Sequence, residues 1–209
     1  MKKNLRSLLV MSVGSLLVAQ GALAATGSNS VRGNLDADNS EKFMNVRLAP
    51  VALAVGGIGA HVDFGVADSI TVGPTFSYQH AGVSFGDSET KVGIYELGAR
   101  ANLYLSGKRF TSGFLLGPYV SFMPASVSQK IGSKESSGSV SGISTGAVMS
   151  YQWVWNSGLN LNVGGGLGYY SLPSEAVVTA QADGTKDTVS VPGFTGVLPN
   201  IELTMGYVF

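Results

Sequence analysis

Five charged residues, Arg47, Asp63, Glu96, Arg100 and Glu202, stand on the polar side of segments whose every second residue is apolar. Ionised groups on one inner surface can neutralise each other as a buried ion-pair network, or they can line a path for protons or a small solute. An unpaired buried charge costs several kcal/mol, so mutual pairing is the simpler expectation. The string Gly142-Ile143-Ser144-Thr145-Gly146 has the G-x-S-x-G spacing of a nucleophile elbow. That motif needs a strand, a sharp turn and a helix, and here it sits inside one alternating segment with no helix after it. Only His61 and His80 could serve as base, and His80 falls on the opposite phase from Ser144. Two separated imidazoles do not make a metal site, and the absence of cysteine excludes thiolate ligands. The glycine runs near Gly56 and Gly164 miss G-x-G-x-x-G, because Val62 and Tyr169 occupy its last position. No catalytic, cofactor or metal residue is therefore assigned, and the expectation is a non-enzyme.

The elements that position these residues are strands. The chain has 209 residues, 29 of them glycine, with 12% charged residues and a mean hydropathy of +0.24. Low charge and positive hydropathy exclude a disordered chain, and so many glycines disfavour helices, where each interior one costs about 1 kcal/mol. The formal net charge is zero, which points to no nucleic-acid partner. Lys2, Lys3 and Arg6 precede the apolar run Leu8 to Ala19, and Ala22-Leu23-Ala24 follows. This reads as a signal peptide over residues 1–24, cleaved after Ala24, since the run is short for a membrane-spanning helix. Residues 25–42 are small and polar and read as a flexible periplasmic arm. Residues 43–209 form the remaining domain.

In that domain eight segments alternate with period two, the mark of strands whose two faces meet different media. The outward candidates are Val46, Leu48, Pro50, Ala52 and Ala54; Ala60 to Val66; Ile70 to Tyr78; Tyr95 to Leu103; Phe114 to Phe122; Ile143 to Trp155; Leu159 to Tyr169; and Val197 to Phe209, every second residue in each. The intervening residues are mostly Gly, Ser, Thr and Asn, too small and too sparsely charged for an ordinary soluble surface. The apolar set carries no charge, which fits a lipid-facing wall where a mid-bilayer Arg or Lys costs about 2–4 kcal/mol. The fold predicted is an all-β, eight-stranded antiparallel up-and-down transmembrane β-barrel. Phe64, Phe110, Trp153 and Trp155 would ring its periplasmic rim, and Tyr78, Tyr95, Phe122 and Tyr169 the outer one. Asp68-Ser69, Ser106 to Arg109 and Asn156 to Gly158 read as short periplasmic turns. Ala81 to Glu89, Pro124 to Ser139 and Leu172 to Phe194 read as long external loops, while Gly56-Gly57 is a tight one that leaves a low rim. Pro50, Pro74, Pro118 and Pro199 fall within strands, and bulges or shortened strands are expected there.

The signal peptide, the eight segments and the closing Leu203, Met205, Tyr207 and Phe209 at alternate positions resemble the small outer-membrane β-barrel proteins of the OmpX, OmpW and OmpA-barrel type. The resemblance implies an outer membrane in a Gram-negative bacterium, with lipid and lipopolysaccharide around the barrel. It also implies that the terminal Leu203, Met205, Tyr207 and Phe209 are a signal to the barrel-assembly machinery. For function the leading expectation is a non-enzymatic surface or adhesion-type role through the external loops. The alternative is a narrow, porin-like pore or a transporter of small hydrophobic solutes; a lipid-modifying barrel enzyme is a third, with no residue constellation to support it.

Overall fold

Strands with one apolar and one polar face leave no unpaired edge if they close on themselves. The computed structural model has that arrangement. It describes residues 38–50, 52, 56–85, 88–131, 134–173, 175–180, 186–190 and 194–209. The strands are β1 (Met44–Leu48), β2 (Gly57–Ala67), β3 (Ile70–Phe85), β4 (Ser88–Tyr104), β5 (Gly113–Ile131), β6 (Lys134–Val154), β7 (Leu159–Leu172), β8 (Glu175–Ala180), β9 (Lys186–Ser190) and β10 (Phe194–Val208). Eight of them, β1 to β7 and β10, pair antiparallel around a closed ring, β10 bridging β7 and β1. Asn45 opposite Val208 and Leu48 opposite Met205 bound the closing ladder. The end of the ring holding Met44, Val208 and the turn at Asp68-Ser69 is its terminus end; the other is its loop end. The signal peptide, residues 25–37 of the arm and Ala54 lie outside the described residues.

The facing follows the alternation. Val72, Leu97, Val120, Ile143, Leu167 and Met205 are exposed, whereas Thr71, Arg100, Ser121, Ser144, Asn162 and Thr204 are buried. The greasy face is outside and the small polar face lines the lumen.

Four details depart from the sequence-based expectation. First, Pro50 does not lie within β1, which stops at Leu48. Ala49 still donates to the Gly59 carbonyl (2.9 Å), but Ala52 turns inward and is buried. Pro50 has no amide hydrogen to continue the ladder. In the described residues β10 therefore has no β1 partner beyond Met205. Pro199 of β10 lies beyond the last described β1 pair and faces Leu167 of β7. Pro74 and Pro118 instead lie inside strands, at interruptions of one ladder: His61 pairs Thr75 and the next pair is Phe64 with Val72; Arg100 pairs Tyr119 and the next is Leu103 with Leu116. The register is the same on both sides of each gap.

Second, the long connections expected at the loop end are largely strand. β3 and β4 continue to Phe85 and from Ser88, β5 and β6 to Ile131 and from Lys134, and the β8–β9 hairpin pairs with β6 at Ser136 to Ser139. Their Ser-, Gly- and charge-rich composition reads as loop, although Ala81, Val83 and Phe85, and Ala125 and Val127, keep a short alternation. Third, residues 38–42 are tied to the barrel. The Lys108 ammonium donates to Asp38 (2.8 Å) and Lys42 to the Val208 carbonyl (3.0 Å). Lys108 and Ser40 hold the Asp38 carboxyl below its usual range, so this exposed tie is present above the ordinary carboxylate pKa and lost as pH falls.

Fourth, Phe110 does not join an outward girdle. The β4–β5 connection spans residues 105–112, and it folds Phe110 inward, where it is fully buried with Tyr104, Leu115, Val154 and Val208. Its ring meets Tyr104 edge-on at 6.1 Å. Phe110 takes φ 57°, a left-handed conformation that costs a side-chain-bearing residue about 1–3 kcal/mol. Burying the ring recovers a similar amount. These five residues stopper the terminus end of the lumen. Leu115→Ala should lower unfolding stability in lipid vesicles by about 2–5 kcal/mol, measured by urea titration. Leu116→Ala, one residue away on the outer face, should cost much less in the same assay; equal losses would contradict the stopper.

Candidate functional site in the barrel lumen

Four of the five lumen charges come together. β1 points Arg47 inward, where its Nε donates to Asp63 Oδ2 (2.8 Å) and its Nη2 to Oδ1 (3.1 Å) in a two-pronged contact with β2. Arg47 Nη1 also donates to Glu202 Oε1 on β10 (2.9 Å), and Arg100 from β4 donates to the other Glu202 oxygen. Asn102 adds a hydrogen bond to Asp63 (2.8 Å) and Asn162 one to Glu202 (2.8 Å). All four ionised residues are buried. Two cations face two carboxylates, so the cluster is neutral, and planar guanidinium groups suit such forked pairing.

The fifth charge stands apart. Glu96 lies nearer the loop end of β4, accepting from Ser144 Oγ (3.0 Å) and Ser77 Oγ (3.4 Å). Among the described residues no cation pairs with it. Ser144 thus serves the carboxylate as a donor and has no imidazole among its hydrogen-bond partners, so its G-x-S-x-G string is a strand and no elbow. His61 lines the lumen with its Nδ1 lacking a protein partner, and His80 is exposed outside. Among the described residues no group of three His, Asp or Glu side chains converges as a metal site would require.

On the loop-end side of the ion pairs lies a cavity of about 150 Å³. Arg100, Glu202 and His61 line it together with Glu96, Tyr119, Tyr170 and Thr204. The tyrosines were not singled out from the sequence, though both stand on the inward phase of their strands, beside Pro118 and Tyr169. They hydrogen-bond each other, and Asn200 donates to the Tyr119 hydroxyl (3.4 Å). The inward glycines make room for these groups. A Cβ at Gly117 would run into the Arg100 guanidinium, and one at Gly168 into the Tyr119 hydroxyl and the Tyr170 ring.

Of the expected girdle rings, Tyr78 and Tyr95 stack at 4.6 Å, Trp153 meets Tyr151 at 4.7 Å and Phe64 meets Phe43 at 5.8 Å. Phe122 and Tyr169 are exposed and Trp155 is half-buried. Met205, Tyr207 and Phe209 are exposed on the outer face of β10 and Leu203 is half-buried. The Phe209 backbone closes the seam, its amide donating to the Met44 carbonyl (2.7 Å).

Removing one partner from a buried charge cluster leaves its counter-charges uncompensated, at about 3–5 kcal/mol. Arg47→Ala should show a loss of that order in urea unfolding, and adding Asp63→Asn should restore part of it. A single-variant loss below about 1 kcal/mol would mean that the charges are not coupled.

A family profile described as "Protein of unknown function (DUF3575)" matches residues 25–209. No curated protein and no solved structure matches the chain.

Proposed function

The chain belongs to the DUF3575 family, and on that premise, which names no activity, we propose that it is a non-enzymatic outer-membrane β-barrel of a Gram-negative bacterium. Its loop-end hairpins serve as the surface that meets other molecules. The observation that carries the reading is the lumen. Its terminus half is filled by a neutral ion-pair cluster and an apolar stopper, so the barrel is a wall and a platform in preference to a pore. The apolar residues exposed on all eight ring strands support a lipid environment. Strands of about 10 residues cover the hydrocarbon thickness when tilted. The turns and chain termini then face the periplasm, and β3 to β6 with the β8–β9 hairpin project outward above the headgroups. In this reading outer-membrane lipid and lipopolysaccharide surround the barrel. The alternating Leu203, Met205, Tyr207 and Phe209 present a greasy stripe to the assembly machinery.

Planar-bilayer recordings test the closed lumen: the protein should give no discrete conductance steps, and reproducible steps would overturn it in favour of a pore. The lipid-facing wall is tested by charge. Leu167→Lys and Val120→Lys should each cost about 2–4 kcal/mol of folding stability in bilayers, while Gln79→Lys, inside the lumen near the loop end, should be tolerated. Equal tolerance of all three would reverse the facing.

A further inference from the structure

We propose that the lumen cavity binds a small organic cation carrying an ammonium group, with Glu96 as its counter-charge and Tyr119 and Tyr170 as its aromatic wall. This goes beyond the structural role above and does not rest on it. The argument begins with charge. Arg47 and Arg100 are balanced by Asp63 and Glu202, which leaves Glu96 as the one lumen carboxylate whose described partners are hydroxyls alone. A carboxylate has about four acceptor positions, and Ser77 and Ser144 fill two. An ionised carboxylate in a confined lumen is stabilised by a cation.

The geometry adds three points. The cavity holds about 150 Å³, a volume that admits a benzene-sized molecule. Tyr119 and Tyr170 line it together with Glu96, and an ammonium is attracted to a tyrosine face. Thr204, 1% exposed, also lines it, and its hydroxyl has no protein partner and is free to accept from the ligand. Two sources could deliver this chemistry. A water-soluble amine would enter from the loop end. A lipid-like amine would place its head in the cavity and leave its tail outside the wall beside Ile201 and Leu203, which border the cavity.

The test uses the folded barrel in uncharged detergent micelles, followed by amide resonances at Gly98, Ser121, Ser144 and Tyr170. The probes are ethanolamine in its ammonium form, with ethylene glycol as its neutral counterpart, and dodecylammonium, with dodecanol as its counterpart. The expected result is saturable shifts with at least one cation, about tenfold or more tighter than with its neutral counterpart. Saturation by ethanolamine identifies a soluble ligand; saturation by dodecylammonium alone identifies a lipid-like one. Glu96→Gln should remove the preference for the cation. If neither cation saturates, or if the neutral counterparts bind equally well, the proposal fails. That comparison is made on the unaltered protein and stands even where the variant does not fold. A folded Glu96→Gln variant that keeps the full preference would overturn it as well.

Discussion

Arg47 stands on a strand of only five residues, and the ring closes through four residue pairs between that strand and β10. A seam so short would be the weakest ladder of the barrel if hydrogen bonds alone held it. The Arg47 guanidinium reinforces it from inside, gripping Asp63 on one neighbour and Glu202 on the other, while Arg100 anchors Glu202 from across the lumen. Breaking the seam would therefore also separate charges that are shielded from water, which is far more costly than parting surface ions. The narrowness of an eight-stranded ring makes this possible, because the side chains that fill its terminus half bury all four charged groups.

The closed terminus half and the open loop half follow from side-chain size on one phase of each strand. Toward the termini the inward positions hold Tyr104, Leu115, Gln152, Val154, Asn160 and Asn162, which fill the bore. Toward the loop end they are Gly117, Gly146, Gly166 and Gly168, whose bare backbone lets longer groups lie flat across the lumen. Glycine excess in this chain is thus less a loosening of the wall than the space into which Arg100, Tyr119 and Tyr170 extend.

Much of this was legible in the sequence because one physical rule governs most of the ring. A residue's face is set by its parity, so the inward placement of Arg47, Asp63, Glu96, Arg100 and Glu202 could be read without coordinates. Parity does not give depth or distance along the axis, and for that reason Glu96 read as a member of the ion-pair set although it lies nearer the loop end. Phe110 shows the limit differently. An aromatic residue beside a strand end reads as a girdle ring, and only the left-handed turn at that position sends it into the lumen. The loop-end strands were misread for a third reason: their Ser-, Gly- and charge-rich composition outweighed short alternations such as Ala81 to Phe85 and Ala125 to Val127.

Pro50 joins these threads. By ending β1 at Leu48 it confines Arg47 to a short seam, and by releasing the chain inward it places Ala52 on the wall of the cavity. In the described residues β1 pairs β10 only as far as Met205, so one backbone restriction sets both the short seam and the inward position of Ala52. A residue with an amide donor at position 50 would allow β1 to continue upward beside β10, drawing Ala52 back toward the wall. Closure of the ring and the lining of its interior are in this sense two outcomes of where a single strand stops.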